Sequence, residues 1–363
     1  MASYLFARLR QYMRDLKTDY FEDLRLFDNW KLIFWTTLLL IFLFALPFIV
    51  KTYYLSFVNL MAVNVIVALG LNLLVGNTGQ ISLGHAGFVA IGAYASVMCM
   101  NAGIPFLGAF LISGLIAALF GFLVGIPSLK LEGPYLAIAT LAFGLAVSIL
   151  IGRMDFLGGR MGMSVPKIDL QWTGLKYDLS LYYLIIIITI ICVIMTRNIV
   201  KSRIGRAFQA IRDSDIAAEA IGINLSKYKL YSFGLSAFLA GLAGSLLALY
   251  LGFITPNSTM FTFIGSINFL AIVVLGGLGF VAGSVMGAIV MTFLNLQLEN
   301  VVDLPLIGPL LYQFSETFMS TTGIANVSWV FTGLILILVI LFEPLGLYGL
   351  WIRAKIYWMR WPF

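Results

Sequence analysis

Charge is what this chain has least of. Only 10% of its 363 residues are Asp, Glu, Lys or Arg, against 61% hydrophobic, and a mean hydropathy of +1.01 cannot describe a water-soluble surface. The solvent for most of the chain is therefore lipid. Histidine is almost absent: a single residue, His85, excludes a histidine pair or an H-E-x-x-H zinc motif and leaves no credible Ser-His-Asp set. The two cysteines, Cys99 and Cys192, sit in apolar runs and give neither metal-ligand spacing nor a disulfide framework, so they read as packing residues. No Gly-Lys pair occurs, which removes the phosphate-cradling G-x-x-x-x-G-K-[ST] loop. If ATP drives this protein, a partner hydrolyses it. No catalytic residue, metal site or cofactor is expected.

Carboxylates are also missing where ion-coupled transport would need them. Every Asp and Glu lies in a loop, a flank or near the end of an apolar run, with Glu299 the closest to an exception, and none can be placed beside His85. This argues against a secondary transporter or pump.

What the chain does have is apolar runs long enough to cross a hydrocarbon layer of about 30 Å. They lie near 31–50, 57–76, 81–100, 106–126, 134–152, 179–196, 231–251, 263–279, 283–299 and 328–347. The fold class is an all-α, polytopic membrane helical bundle of about ten spans. Glycine interrupts the third, eighth and ninth, so eight full crossings plus broken or re-entrant pieces is the alternative. Lys and Arg set the orientation: with both termini cytoplasmic, 17 of the 22 basic residues fall inside and only Lys51, Arg153, Arg160, Lys167 and Lys176 outside. The net charge of +6 is thus sorted by membrane side, and no nucleic-acid partner is implied.

Residues 1–30 mix charge of both signs and lack a signal peptide's apolar core and cleavage site, so they are expected to be retained. Leu5, Leu9, Tyr12, Met13, Leu16, Tyr20 and Leu24 form one stripe, the mark of a cytoplasmic amphipathic helix at the membrane surface. The transmembrane domain is 31–350. The tail 351–363 is basic and aromatic, with Trp351, Tyr357, Trp358 and Trp361 as an interfacial anchor. Two loops are long: a periplasmic one at 153–178 and a basic cytoplasmic one at 197–230. The outer segment from Asn300 to Asn326 has no readable role. Repetition is faint: GNTGQISLGHAGFVAIGAYAS (76–96) and LGGLGFVAGSVMGAIV (275–290) both place clustered glycines before a small-residue helix, as two halves of a duplicated transporter would. Helix packing explains the small residues equally well, and Gly121-x3-Gly125 and Gly283-x3-Gly287 have the spacing for it.

The cytoplasmic loop holds a short amphipathic element. Asp213 or Ser214 can cap its start, Asp215 favours the positive helix end and Gly222 can stop it, leaving room for roughly two turns. Ile216, Ala220 and Ile221 can dock into a groove on a soluble subunit while Arg212, Asp213 and Glu219 make polar contacts around them. A solvated basic loop is the plainer alternative. In the third span region, Asn77, Thr78, Gln80, Ser82 and His85 are the candidate contacts of a translocation pathway, with Asn72 and Thr140 from neighbouring spans. Glycines 76, 79, 84 and 87 let the backbone approach closely or break the helix there. Polar glue between membrane helices is the competing role.

The run RAFQAIRDSDIAAEAIGINLSKYKLYSFGLSAFLAGLAGSLLALY, with GLNLLVGNTGQISLGHAGFVAIGAYAS, LKLEGPYLAIATLAFG and LGGLGFVAGSVMGA, resembles the branched-chain amino acid permease subunits of ABC importers, the LivM-like family. The resemblance covers nearly the whole membrane domain and leaves out the first 30 residues and the segment 300–326. It implies a multi-pass subunit of the bacterial inner membrane. The importer it implies joins a second permease (LivH-like, a heterodimer), two cytoplasmic ATPase subunits and a periplasmic substrate-binding protein. Arg212, Asp213, Asp215, Glu219, Ala220 and Gly222 would then couple ATPase closure to the helices. The outer loop reads DFLGGRMGMSVP: Gly158, Gly159 and Gly162 are kept, with Arg160 and Met161 between them. Arg160 can meet a carboxylate or a phospholipid. The cargo implied is a branched-chain or related hydrophobic amino acid, with urea or short-chain amides as the alternative and a stand-alone secondary transporter or channel as the second.

Overall fold

The computed structural model describes residues 30–131, 133–168, 176–300, 333–334, 336–339, 341–343 and 345–360. The N-terminal amphipathic segment, the first part of the tenth span and the segment 301–326 lie outside the described residues. The chain divides into two compact units, Met1–Thr52 and Tyr53–Phe363. In the first, α1 is an unbroken apolar helix, Trp30–Ile49, with Pro47 confined to its last turn.

The second unit is a helical bundle. After α2 (Thr52–Thr78) come α3 (His85–Asn101), α4 (Phe106–Ser128), α5 (Pro134–Arg153) and α6 (Tyr177–Lys201). Two short helices follow, α7 (Arg203–Asp213) and α8 (Asp215–Ala220), then α9 (Leu225–Leu251), α10 (Phe263–Gly276), α11 (Val281–Asn300) and α12 (Gly346–Arg360). Five of these helices, α2, α4, α5, α6 and α9, are long and apolar enough to cross a membrane. The protein is an all-α polytopic membrane protein. Of the three glycine-interrupted runs, two give shorter helices, α3 with 17 residues and α10 with 14, whereas the ninth forms α11, an unbroken helix of 20 residues. At 1.5 Å per residue, α10 reaches only about 21 Å, short of the hydrocarbon thickness.

Small residues decide the packing. α9 is the hub, lying against α4 and α3, and its Gly and Ala positions remove the side chains that would hold backbones apart. A Cβ added at Gly241 would stand 2.5 Å from the Ala117 Cβ, and one at Gly244 would stand 2.1 Å from the Val89 carbonyl oxygen. The Gly121-x3-Gly125 pair faces Phe233 and Ala237 of α9, and Gly283 and Gly287 face Gly276 across the α10–α11 contact. Buried polar side chains add glue: the Ser96 and Ser245 hydroxyls meet at 2.7 Å, and Asn64 Nδ2 donates to Thr292 Oγ1 at 2.9 Å. Strand structure among the described residues is one antiparallel pairing, β1 (Met163–Ser164) with β2 (Phe253–Ile254).

Candidate functional site

The element expected to dock a partner begins where α6 ends. Ser202 caps α7, its hydroxyl accepting from the backbone N–H groups of Ile204 and Gly205 at 3.2 and 3.5 Å. The apolar side of α7 (Ala207, Phe208, Ile211) is buried, while Arg203, Arg206 and Arg212 lie exposed. Of the two candidate caps for α8, Ser214 does the work, accepting from Ala217 N–H at 3.2 Å. Asp213 instead takes the Arg212 guanidinium at 3.2 Å. At the other end Ile223 N–H bonds the Ala218 carbonyl and Gly222 N–H bonds that of Glu219, at 3.0 and 2.9 Å. This paired arrangement needs the left-handed conformation Gly222 adopts (φ +86°).

Its exposed face is apolar at its centre. Ile216 is 83% exposed and Ile221 74%, with Glu219 and Ala220 also exposed beside them, whereas Ala218 is buried against the bundle. Two charged contacts fasten the element from behind. Lys229 Nζ of α9 meets Asp215 Oδ2 at 2.6 Å, and Arg212 Nη1 donates to the Gly76 carbonyl at 2.9 Å. Gly76 lies in the last turn of α2, where carbonyls have no helical partner and the dipole is negative, so a cation is well placed there.

α2 and α3 are separated by an irregular stretch, residues 79–84, in which Gln80, Ser82 and Gly84 are buried while Gly79 and Ile81 are exposed. Protein partners satisfy much of it. Leu83 N–H donates to Thr140 Oγ1, Ala86 N–H donates to Ser266 Oγ, both at 3.0 Å, and Gln80 Oε1 accepts from Ser232 Oγ at 3.2 Å. Asn72 bridges to the α10–α11 turn: its Oδ1 accepts from Gly279 N–H at 2.8 Å and its Nδ2 donates to the Phe280 carbonyl at 3.0 Å. The two glycine-rich segments singled out in the sequence therefore meet, Gly76 against Gly279. A Cβ at Gly76 would fall 2.2 Å from the Gly279 nitrogen.

The sequence-based candidates thus separate into two groups. Asn72, Gln80, Thr140 and Thr78, whose hydroxyl donates to the Leu73 carbonyl at 2.9 Å, are committed to protein partners. Asn77, Ser82 and His85 are buried, and among the described residues neither amide atom of Asn77, nor the Ser82 hydroxyl, nor either ring nitrogen of His85 has a hydrogen-bond partner. An unmet buried polar atom costs about 1–3 kcal/mol, which makes three such residues on one short stretch a conspicuous feature. The adjoining crevice, lined by Leu83, Gly87, Gly144, Phe261, Phe263 and Ser266 among others, is too narrow to hold a water molecule.

The glycine-bearing loop after α5 is built on its backbone. Gly158, Gly159 and Gly162 all have positive φ, and a Cβ at Gly162 would lie 2.2 Å from the Ile254 carbonyl oxygen, inside the β1–β2 contact. Arg160 and Met161 stand exposed at the tip, Met161 by 85%. Sequence reasoning missed Ser232, Ser266, Gly279 and Phe280 as partners of the site, because single hydroxyls and turn backbones carry no local pattern. Only the glycine cluster around Gly279 signalled the last two.

A family model described as "Branched-chain amino acid transport system / permease component" matches residues 53–340. The "High-affinity branched-chain amino acid transport system permease protein LivM" of Escherichia coli is 37% identical over 279 residues, which is 70% of this chain and 65% of that protein. The chain thus spans less than two thirds of that relative's length. The "Fructose import permease protein FruG" of Bifidobacterium longum is 28% identical over 230 residues, 60% of this chain and 67% of that one. The "Probable branched-chain amino acid transport permease protein LivH" of Methanocaldococcus jannaschii is 25% identical over 307 residues, 80% and 90% of the two chains. No solved structure matches.

Proposed function

The chain belongs to the branched-chain amino acid transport system permease family, and from that premise we propose that it is the membrane-spanning subunit of an ATP-binding-cassette importer. The cargo proposed is a branched-chain or related hydrophobic amino acid, delivered by a periplasmic binding protein. Two cytoplasmic ATPase subunits supply the energy, a LivH-like permease completes the membrane pair, and the whole sits in a bacterial inner membrane with both termini inside. The observation that carries this reading is the α8 element: capped at both ends, exposed along Ile216, Glu219, Ala220 and Ile221, and pinned to the bundle by Asp215 and Arg212. A stiff apolar projection with fixed roots can receive a push from a soluble partner. Asn77, Ser82 and His85 are the proposed pathway contacts, framed by Asn72, Gln80 and Thr140. Movement between helices would expose their unmet polar atoms to the cargo. The outer loop, Gly158, Gly159, Arg160 and Gly162, is proposed to face the binding protein.

The test is reconstitution. The chain would be co-expressed with a LivH-like permease and candidate ATPase subunits from the same organism, placed in liposomes, and supplied with a candidate binding protein and labelled leucine or urea. ATP-dependent uptake of leucine, absent when the ATPase is omitted, is the expected result. Uptake of urea alone would move the cargo to the amide class, and uptake by the purified chain without ATPase would overturn the reading.

A further inference from the structure

Arg212 was singled out as one of the polar contacts around the docking face, yet its head points back into the bundle. Its Nη1 reaches the Gly76 carbonyl at 2.9 Å, while Nε and Nη2 are held by Asp213 Oδ1 at 3.3 and 3.2 Å. To get there the side chain passes between two glycines. A Cβ at Gly79 would stand 3.3 Å from the Arg212 Cγ, and one at Gly279 would stand 2.8 Å from Nη1. Gly79 opens the irregular stretch before His85, and Gly279 belongs to the α10–α11 turn that Asn72 ties to α2. The Arg212 side chain therefore bonds Asp213 and the end of α2 through its guanidinium, and leaves little room for a Cβ at Gly79, where the break starts, or at Gly279 in the turn between α10 and α11.

We propose that Arg212 is a positioning residue that latches the α7–α8 docking element to the paired glycine breaks, so that the element and the stretch 79–84 move as one body. This rests on the importer reading above. A guanidinium suits the role because its planar fork bonds a carbonyl and a carboxylate at once, which a lysine ammonium does less well. The Gly76 carbonyl is main chain, so the contact follows the backbone of α2 rather than any rotamer.

The experiment uses the assembled complex in liposomes. Arg212→Ala should lower the amount of cargo moved per ATP hydrolysed by about tenfold, within the usual range of coupling between sites, and Arg212→Lys should restore part of it. Spin labels at Ile81 and Ala217, on a background with Cys99 and Cys192 replaced by alanine, read the motion directly. With Arg212 present, their separation should be the same without nucleotide and with trapped ATP. With Arg212→Ala it should broaden. A wild-type separation that changes between the two states overturns the latch even if Arg212→Ala fails to assemble, as does an assembled Arg212→Ala complex with normal cargo per ATP. A wild-type chain that binds no ATPase overturns both the latch and the reading beneath it.

Discussion

The α8 element and the glycine loop at 158–162 both present exposed apolar side chains on a small ordered platform, but they are fastened in opposite ways. α8 is held by side chains: the Ser214 cap, the Lys229–Asp215 pair and Arg212 on Gly76. The glycine loop is held by backbone: the β1–β2 pairing and a glycine, Gly162, whose missing Cβ lets the Ile254 carbonyl approach. Side-chain fastenings tie one element to several others and can pass motion along. Backbone fastenings fix a local shape and leave the tip, Arg160 and Met161, free to meet something.

That contrast can be broken from either end. The largest effect should come from Glu219→Lys, a charge reversal on the exposed face proposed to dock the ATPase. ATP-dependent uptake should fall by an order of magnitude or more, about 1.4 kcal/mol of lost coupling for each tenfold, while the amount of chain in the membrane stays normal. Full uptake in an assembled Glu219→Lys complex would remove α8 from the contact. Arg160→Glu should act more mildly, raising by several-fold the binding-protein concentration needed for half-maximal uptake, as a rim charge does. ATP hydrolysis measured without binding protein separates the outcomes, since a lost rate there marks misfolding rather than a weakened outer contact. The smallest effect belongs to Ser214→Ala. Loss of a cap costs about 1 kcal/mol, so thermal unfolding of the purified complex should shift down by a few degrees at most, with faster hydrogen exchange confined to 215–220. Asp at the same position should rescue it.

Local features were legible in advance. The apolar runs became helices, Ser214 was one of two residues named as a cap, and Gly222 stops α8 as its place after an amphipathic turn requires. Fragmented third and eighth spans were also readable, because glycine density reports where a helix is weak. The site's inner wiring was not. Asn72 bonds a turn more than two hundred residues away, and nothing in its neighbourhood distinguishes that bridging role from a pathway contact. Burial without a partner is likewise a three-dimensional property: Asn72 and Asn77 look alike in sequence, yet one amide is fully engaged and the other is not. Long-range partners are invisible to periodicity, which reads only what recurs within a few residues.

The small β1–β2 sheet sets an order of events during synthesis. Met163 pairs with Ile254, about ninety residues later in the chain. At the usual pace of translation that gap takes roughly 5–20 s, during which α6 and α9 must both be made and inserted. Until then the glycines of the outer loop have no opposing strand to hold them. The face proposed to greet the binding protein is therefore among the later surfaces to take shape, and a chain stalled before Phe253 would display the loop without its partner.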